Sequence, residues 1–369
     1  MQVPFVDLKA QYRAIASEID SAMTEVLAKT AFIRGPFVER FEKEFAAYCG
    51  LKHCLGVGNG TDALIIGLQA VGVRPGDEVI VPANSFVATS EAVTRAGAKV
   101  VFADVDPLRY TLDVADTRAK ITSRTKAILP VHLYGQPADM AAIRALANEF
   151  GLKIVQDCAQ AHGARVGGKP IGAYGDVLCF SFYPGKNLGA YGDAGAVLTD
   201  DDAVARYARM YANHGRISKY DHEFEGINSR MDGLQGAVLG VKLPHLEDWT
   251  ESRRSVAAQY DRLLSGVEGI TIPFVADDVR HVYHLYVIQC PEREALKTSL
   301  AEDGISTGVH YPIALPNLQA YRYLGFGPQD FPVSSRLQDT ILSLPIYPEM
   351  ESGMVEYVAD RLKRRVASL

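Results

Sequence analysis

The stretch Lys153-Ile154-Val155-Gln156-Asp157-Cys158-Ala159-Gln160 is a short apolar strand pattern that ends in an isolated carboxylate. Similar apolar runs recur on either side of it, at 78–81, 100–103, 127–131 and 177–180. Segments with helical periodicity lie between these runs, for example at 86–96, 139–149 and 201–213. Four glycines stand where such helices should end: Gly50, Gly72, Gly97 and Gly151. Strands that alternate with helices predict an α/β fold with a large, mostly parallel sheet covered by helices on both faces.

The second half of the chain has a different pattern of predicted helices and strands. A long helical pattern runs from Gly233 to about Leu264, and Pro244 should kink it. Beyond Gly269 the patterns predict short strands and helices in turn, with strands at 282–288 and 305–309 and helices at 292–303 and 353–366. We therefore predict a large domain over 1–250 and a smaller α+β C-terminal domain over 251–369.

Composition bounds the class of function. The 369 residues are 48% apolar with a net charge of −6, so no global basic field recruits nucleic acid or an anionic membrane. No apolar run approaches the roughly 18–20 residues that span a bilayer, and the start of the chain does not resemble a signal peptide. The five cysteines are odd in number and unpatterned. They predict reduced thiols in a cytoplasmic protein without a metal site.

Asp157 and Lys186 carry the main chemical signal. Lys186 lies 29 positions after Asp157, in Ser181-Phe182-Tyr183-Pro184-Gly185-Lys186-Asn187-Leu188-Gly189. A lysine in a short glycine-flanked loop can form a Schiff base with an aldehyde, and an acid at a strand end can pair with a protonated pyridine nitrogen. Pyridoxal phosphate needs both groups, at opposite ends of its ring. The alternatives are a surface lysine in a turn and an aspartate that caps a helix.

A phosphate site is predicted at Gly56-Val57-Gly58-Asn59-Gly60-Thr61-Asp62-Ala63-Leu64. A strand ends there, a glycine-rich turn follows, and a helix starts near Thr61, so free N–H groups and the positive helix end form an anion cradle. A dinucleotide site and a plain capped turn are the alternatives, but Thr61 occupies the third glycine position of the dinucleotide pattern. The hydroxyl of Ser181, which follows the strand at 177–180, could reach the same phosphate or be a satisfied buried group.

Other residues are candidates for the site, and most of them allow more than one interpretation. Phe86 could stack on a planar ring or belong to the core, and Gln160 could bind the phenolic oxygen of the ring. Arg230 is either a surface charge or an anion clamp. His310, followed by Tyr311, ends a predicted strand and taken alone is more typical of a structural histidine.

Taken together these motifs resemble the DegT-type family of pyridoxal-phosphate sugar aminotransferases. The resemblance covers nearly the whole chain and includes further ordered motifs: Phe5-Val6-Asp7-Leu8, Arg74-Pro75-Gly76-Asp77-Glu78-Val79-Ile80, Pro130-Val131-His132-Leu133-Tyr134-Gly135-Gln136, Asn228-Ser229-Arg230-Met231 and Gly308-Val309-His310-Tyr311-Pro312.

The resemblance implies the aspartate-aminotransferase fold, known as fold type I, and a homodimer with shared active sites. By position, Lys186 would be the Schiff-base lysine and Asp157 the partner of the ring nitrogen. The remaining cofactor contacts would come from Gly60, Thr61, Phe86, Gln160, Ser181 and, from the other subunit, Asn228. Substrate would be met by Arg230, His310 and Tyr311.

The same resemblance implies transfer of an amino group from glutamate to a nucleotide-linked keto-sugar, in deoxysugar, O-antigen or glycan biosynthesis. The run from Tyr183 to Gly189 resembles the branch that acts at C3 of dTDP-3-keto-6-deoxyhexoses. A UDP-linked 3-keto sugar or a 4-keto sugar is the alternative. Dehydratases of this fold carry histidine in place of the lysine, so Lys186 favours transamination. A non-catalytic regulator would not need the lysine, acid and phosphate set.

Overall fold

A computed structural model describes residues 1–368. The helices are, in chain order, α1 (Leu8–Lys29), α2 (Pro36–Cys49), α3 (Gly60–Ala70), α4 (Val87–Arg95), α5 (Val114–Ala119), α6 (Met140–Phe150), α7 (Asp202–Tyr211), α8 (Gly233–Lys242), α9 (Leu246–Leu264), α10 (Arg293–Glu302), α11 (Pro332–Thr340) and α12 (Ser352–Val366). The strands are, in chain order, β1 (His53–Val57), β2 (Glu78–Pro82), β3 (Lys99–Ala103), β4 (Thr125–Ile128), β5 (Lys153–Asp157), β6 (Arg165–Val166), β7 (Lys169–Pro170), β8 (Val177–Ser181), β9 (Gly195–Thr199), β10 (Arg216–Ser218), β11 (Asp221–His222), β12 (Val279–Arg280), β13 (Tyr286–Gln289) and β14 (Ile341–Leu344).

The large sheet has the strand order β1-β9-β8-β5-β4-β2-β3. The pairs among β3, β2, β4, β5 and β8 are parallel, and β9 pairs antiparallel with both β1 and β8. The prediction of an α/β fold with a mostly parallel sheet is confirmed. The parallel strands bring their carboxyl ends to one edge, where Asp157 ends β5 and Ser181 ends β8.

Helices cover both faces of this sheet. Along β8, Val177 and Cys179 belong to one apolar core, whereas Leu178 and Phe180 belong to the core on the opposite face, as the two-residue period of a strand requires. The predicted glycine helix ends are also found. Gly50, Gly72, Gly97 and Gly151 have φ values of 68°, 86°, 88° and 66°, a left-handed conformation that favours glycine.

The long helical pattern beyond Gly233 is divided where Pro244 lies. A short 3-10 turn over Leu243–His245 separates α8 from α9. Helix α9 then packs with α12, β13 and β14 around a separate core that contains Tyr260, Tyr286 and Leu362. The division of the chain at 250/251 stays a prediction, and 315–341 also contribute side chains to the core of the large sheet.

Two predicted strands differ from the structure. Of the 282–288 pattern only 286–288 is strand, within β13 (Tyr286–Gln289), because Val282 N and Leu285 N donate instead to the carbonyls of Gly135 and Tyr134. The predicted strand at 305–309 is reduced to single bridges, from Ile305 to Val3 and from Gly308 to Ser343.

The structure adds three observations on composition. Within 1–368, no helix is both long enough and apolar enough to cross a membrane. All five cysteines are free and buried. In the same part of the chain, no three His, Cys, Asp or Glu side chains are grouped so that they could hold a metal ion.

Candidate active site

A cavity of about 760 Å³ opens at the carboxyl ends of the central strands. Nine of the eleven predicted site residues line it: Gly60, Thr61, Phe86, Asp157, Gln160, Ser181, Lys186, His310 and Tyr311. The other two, Asn228 and Arg230, are not among its lining residues. One chain therefore brings together both ends of the predicted cofactor site.

The loop that carries Lys186 is held at several points. Lys186 N donates to the carbonyl of Tyr183 at 2.8 Å, which closes a tight turn. The buried side chain of Asn187 donates through Nδ2 to the carbonyl of Val282 at 3.0 Å, and its Oδ1 lies 3.1 Å from Nδ1 of His284. The backbone of Lys186 is thereby fixed while its side chain lines the cavity.

The charge of Lys186 is weakened by its surroundings. Burial lowers the pKa of its amine to about 8, although the carboxylate of Asp157 acts in the opposite direction. A substantial share of the amine is then neutral near physiological pH. A neutral amine is the form that attacks an aldehyde.

Asp157 faces the same cavity from the end of β5. Its Oδ2 accepts a hydrogen bond from Oγ1 of Thr89 at 2.9 Å, and its Oδ1 accepts one from Ala159 N at 3.1 Å. Burial raises the pKa of this carboxyl, while the bonds from Ala159 and Thr89 and the charge of Lys186 lower it. A buried carboxylate of this kind is stabilised by a cationic partner such as a pyridinium N–H.

Gln160 and Tyr311 form one side of the cavity. Oε1 of Gln160 accepts from Tyr134 N at 2.6 Å, so its amide group points Nε2 toward the hydroxyl of Tyr311, 3.2 Å away. Burial raises the pKa of Tyr311, which keeps the phenol neutral. The ring of Tyr311 also lies 5.6 Å from that of Phe86, centroid to centroid.

The opposite end of the cavity is an anion cradle. Asn59 caps α3 by accepting a hydrogen bond from Asp62 N at 2.8 Å. The N–H groups of Gly60 and Thr61 have no partner within the helix, because they lie in its first turn. Ser181 lies directly beside this turn, because a Cβ on Gly60 would come within 2.6 Å of the Cβ of Ser181. Amides, hydroxyls and the helix end thus converge on one point.

These residues fit pyridoxal phosphate. The cradle at Gly60, Thr61 and Ser181 suits its phosphate, the carboxylate of Asp157 suits its ring nitrogen, and the amine of Lys186 suits its aldehyde. The close approach of Gly60 to Ser181, which leaves no room for a side chain, is the structural observation that favours the phosphate reading over a plain capped turn.

His310 is a partly buried residue of the cavity wall. Its Nδ1 is 2.8 Å from Oγ of Ser343, and its ring stacks on Phe5 with centroids 5.6 Å apart. Burial, assisted by the charge of Lys186, lowers the pKa of His310 to about 4. The imidazole is therefore neutral at physiological pH and can act as a hydrogen-bonding group toward substrate.

Asn228 and Arg230 do not line the cavity of their own chain. Between them, the buried Ser229 donates to Oδ2 of Asp62 at 2.7 Å and accepts from Gly58 N at 3.0 Å. Asn228 itself is exposed. A role for either neighbour in an active site therefore requires a second copy of the chain, and that role stays a prediction.

Sequence reasoning missed several side chains of the site. Thr89, Tyr134, Arg253 and His284 contact the predicted residues or line the cavity. Thr89 had a local signal, because it lies one helical turn beyond Phe86 on the same face of α4. Arg253 and His284 had none, since they reach the cavity only through the packing of the C-terminal part of the chain.

Comparison with known proteins agrees with this geometry. Residues 13–363 match the DegT/DnrJ/EryC1/StrS aminotransferase family, and the chain belongs to that family. The family and fold predicted from the sequence are thus confirmed. The chain is 45% identical to the dTDP-3-amino-3,4,6-trideoxy-alpha-D-glucose transaminase of Streptomyces venezuelae, over 98% of this chain and 96% of that protein.

Two further similarities are informative. The chain is also 45% identical to a pleiotropic regulatory protein of Geobacillus stearothermophilus, over 98% of each. Its fold matches the solved structure of S. venezuelae DesV in complex with a ketimine intermediate, with a TM-score of 0.97 and 44% identity, covering 99% of this chain and 98% of that one.

Proposed function

We propose that this protein is a pyridoxal-phosphate-dependent aminotransferase that moves an amino group from glutamate to a nucleotide-linked keto-sugar. The observation that carries the proposal is that Lys186, Asp157 and the Gly60–Ser181 cradle line one cavity. We take the sugar to be a dTDP-3-keto-6-deoxyhexose aminated at C3, which the name of the Streptomyces relative supports. A UDP-linked 3-keto sugar or a 4-keto sugar is the alternative.

Each residue of the chain has a separate task in this reaction. Bound pyridoxal phosphate supplies an aldehyde that takes up and passes on amino groups, and a ring that withdraws electrons when its nitrogen is protonated. Asp157, held by Thr89 and Ala159, keeps the proton on that nitrogen. Gly60, Thr61 and Ser181 bind the phosphate. Gln160 and Tyr311 would form a polar wall of the cofactor site, and Phe86 packs against Tyr311.

Lys186 holds the cofactor and moves the proton. Lys186 would hold the cofactor through its amine, and that amine, once free, would accept a proton from the α-carbon of the donor and release it to the carbon that bore the cofactor's aldehyde. The pKa of about 8, lowered by burial, suits this exchange near neutral pH. When the keto-sugar enters, the same amine moves a proton in the opposite direction.

Trapping of the lysine tests the assignment. The protein saturated with pyridoxal phosphate is reduced with borohydride and digested, and peptide masses are measured. We expect the cofactor on Lys186 and no turnover in Lys186→Ala, whereas Lys169→Ala, at an exposed lysine outside the cavity, should behave as wild type. Cofactor on another lysine, or turnover without Lys186, would contradict the proposal.

A regulatory role is the second candidate, because one relative at 45% identity has a regulatory name. The two functions are separated by adding glutamate to the purified holoenzyme. An aminotransferase shifts its absorbance to the pyridoxamine form and releases oxoglutarate, whereas a regulator without activity does neither. A panel of dTDP- and UDP-linked 3-keto and 4-keto sugars, followed by product mass, then identifies the acceptor.

We further propose a cytoplasmic homodimer with shared active sites. Two observations support sharing. Asn228 is exposed outside its own cavity, and Phe86 and Tyr183 line the cavity mouth with 53% and 61% of their surface exposed. The five free, buried thiols agree with a reducing compartment.

Mixing of two inactive variants tests the sharing. Lys186→Ala and Asn228→Ala are unfolded together and refolded at equal amounts. A hybrid dimer with shared sites has one intact site, so about a quarter of wild-type activity should return. No recovery in a verified hybrid would contradict the shared site.

A further inference from the structure

Arg253 is a buried cation in the wall of the cavity. It lies on α9, is only 4% exposed, and lines the cavity together with His284, Leu285 and Ile346. Its side chain therefore reaches the site from the C-terminal part of the chain.

The hydrogen bonds of Arg253 leave much of its guanidinium unused. Nη1 donates to the carbonyls of Ile346, Tyr283 and His284, at 2.9, 3.2 and 3.4 Å. Nε is buried and has no hydrogen-bond partner. Across 1–368, Arg253 forms no salt bridge with a carboxylate, and its hydrogen bonds all come from Nη1, none from Nη2. A guanidinium carries five N–H donors in a fixed fork, and those on Nε and Nη2 are unused within 1–368.

Arg253 nevertheless keeps its charge. Burial lowers its pKa to about 10, and the charge of Glu349 acts against that shift. The group is protonated at neutral pH. A buried charge without a counter-ion in direct contact is destabilising, and a bound anion would offset that cost.

Within 1–368 of the same chain, no other cation in the cavity wall is available for an anionic ligand. Lys186 is used by the cofactor in the proposed function. His310 and His284 are neutral, because burial lowers the pKa of the first to about 4 and that of the second well below its usual value. The remaining charged side chains in the wall are acidic: Asp62, Glu91, Asp157 and Asp193.

We infer that Arg253 binds a carboxylate of the amino donor through its free N–H groups. The inference rests on the proposed function, because it identifies which group of this chain receives the donor. A carboxylate matches the planar fork of a guanidinium. Arg253 itself is only 4% exposed and has Leu285 and Ile346 beside it in the cavity wall, which suits a small planar anion better than the diphosphate of a nucleotide.

Selectivity between glutamate and its amides tests the inference. The first half-reaction of the holoenzyme is followed by absorbance with glutamate, with glutamine and with the α-amide of glutamate. Wild type should prefer glutamate over one of the two amides by about 100-fold or more, because that amide cannot pair with Arg253. Arg253→Gln should reduce this preference at least tenfold. Which amide is affected identifies the carboxylate that is bound.

Arg254→Gln is the matched control. Arg254 is adjacent on α9 and also donates to a carbonyl, that of His281, but it is partly exposed and does not line the cavity. It should keep the wild-type preference. The preference is the ratio of two rates measured on the same variant. A general loss of stability lowers both rates equally and leaves this ratio unchanged. If Arg253→Gln does not fold, Arg253→Lys decides, since an ammonium loses the two-point geometry and should also reduce the ratio.

Binding of glutarate to the apoprotein gives a second readout, measured by calorimetry. Arg253→Lys should weaken it about tenfold or more, and Arg254→Gln should not. Unchanged ratios and unchanged glutarate binding in both Arg253 variants would overturn the inference. A raised KM for the sugar nucleotide without a change in the ratio would overturn it in favour of a phosphate contact. If wild type reacts with no amino donor, the proposed function fails instead, and glutarate binding still tests Arg253.

Discussion

Gly60 and Ser181 approach so closely that a Cβ on Gly60 would lie 2.6 Å from the Cβ of Ser181. Gly67, two helical turns further along α3, has the same relation to β8, because its Cβ would lie 2.8 Å from Sγ of Cys179. Two glycines on one face of α3 therefore allow the helix to lie directly on the strand. This packing brings the N-terminus of the helix to the hydroxyl of Ser181.

Gly60→Ala should weaken binding of pyridoxal phosphate at least about tenfold. The added methyl group must displace Ser181 or tilt α3, and overpacking of this kind costs about 1–3 kcal/mol. Gly353→Ala is the control, because nothing lies within 4 Å of the added atom there. Titration of the apoprotein with cofactor gives both affinities. Equal affinity in Gly60→Ala and wild type would show that the cradle does not hold the phosphate.

The rate of cofactor recombination should depend on pH through Lys186. Burial lowers the pKa of this amine from 10.5 to about 8. Below pH 8 the amine is protonated and cannot attack the aldehyde, so the rate should rise about tenfold per pH unit and level off above pH 8. Stopped-flow mixing of apoprotein with pyridoxal phosphate measures it. A rate that keeps rising beyond pH 10 would indicate an ordinary, solvated lysine.

Asp157→Asn should still bind the cofactor but lose activity by about 100-fold or more. The amide has nearly the same shape, and its oxygen can still accept from Ala159 N while its NH2 group donates to the hydroxyl of Thr89, but it cannot hold a positive charge on the ring nitrogen. Cofactor titration and turnover are measured on the same preparation. Wild-type turnover in a preparation with bound cofactor would remove Asp157 from the mechanism.

Thr89 should act on the reaction through Asp157. Thr89→Val removes the donor to Oδ2 and should raise the pKa of Asp157 further, lowering turnover about tenfold with little change in cofactor affinity. Thr89→Ser keeps the hydroxyl and should restore the rate. Thr94→Val, at an exposed threonine of the same helix, is the control. An acidic limb of the pH profile that does not move in Thr89→Val would contradict this coupling.

Local patterns accounted for most of the large sheet and for the residues that follow its strands. The apolar runs around Ile80, Phe102 and Ile154 are buried strands, because each must fill a core on both faces of a parallel sheet. The prediction of a strand at 305–309 was wrong, because this segment does not pair along its length with a neighbouring strand. Its backbone bonds go to Val3 and Ser343, partners that are distant in sequence and offer only one bridge each.

The N-terminal segment shows another limit of local reasoning. The residues from Lys9 to Arg13 have no sharp local pattern, yet they lie in the first turns of the 22-residue helix α1, which is capped by Asp7 and buries Gln11. Local sequence likewise predicts some residues of the site and not others. Asp157 and Lys186 could be found from neighbouring residues, whereas Arg253 joins them only after α9 has packed, and no local pattern encodes that contact.

Asp104 provides a prediction about stability rather than catalysis. It follows β3, and its carboxylate accepts hydrogen bonds from Val333 N at 2.9 Å and from N and Oγ of Ser334 at 2.9 and 2.6 Å. It thereby caps the start of α11 and ties it to the edge of the large sheet. Asp104→Ala leaves these buried donors unpaired, so we expect a loss of about 2–4 kcal/mol in the free energy of unfolding.

The control for this change is Asp106→Ala, where the carboxylate accepts only from the exposed turn at Leu108 and Arg109. We expect the free energy of unfolding to fall by about 1 kcal/mol or less in this variant. Urea denaturation of the two apoproteins compares them, and cofactor affinity should be unchanged in both because neither residue lines the cavity. Equal midpoints for the two variants would mean that the contact from Asp104 to α11 contributes little, and that other packing holds this helix against the sheet.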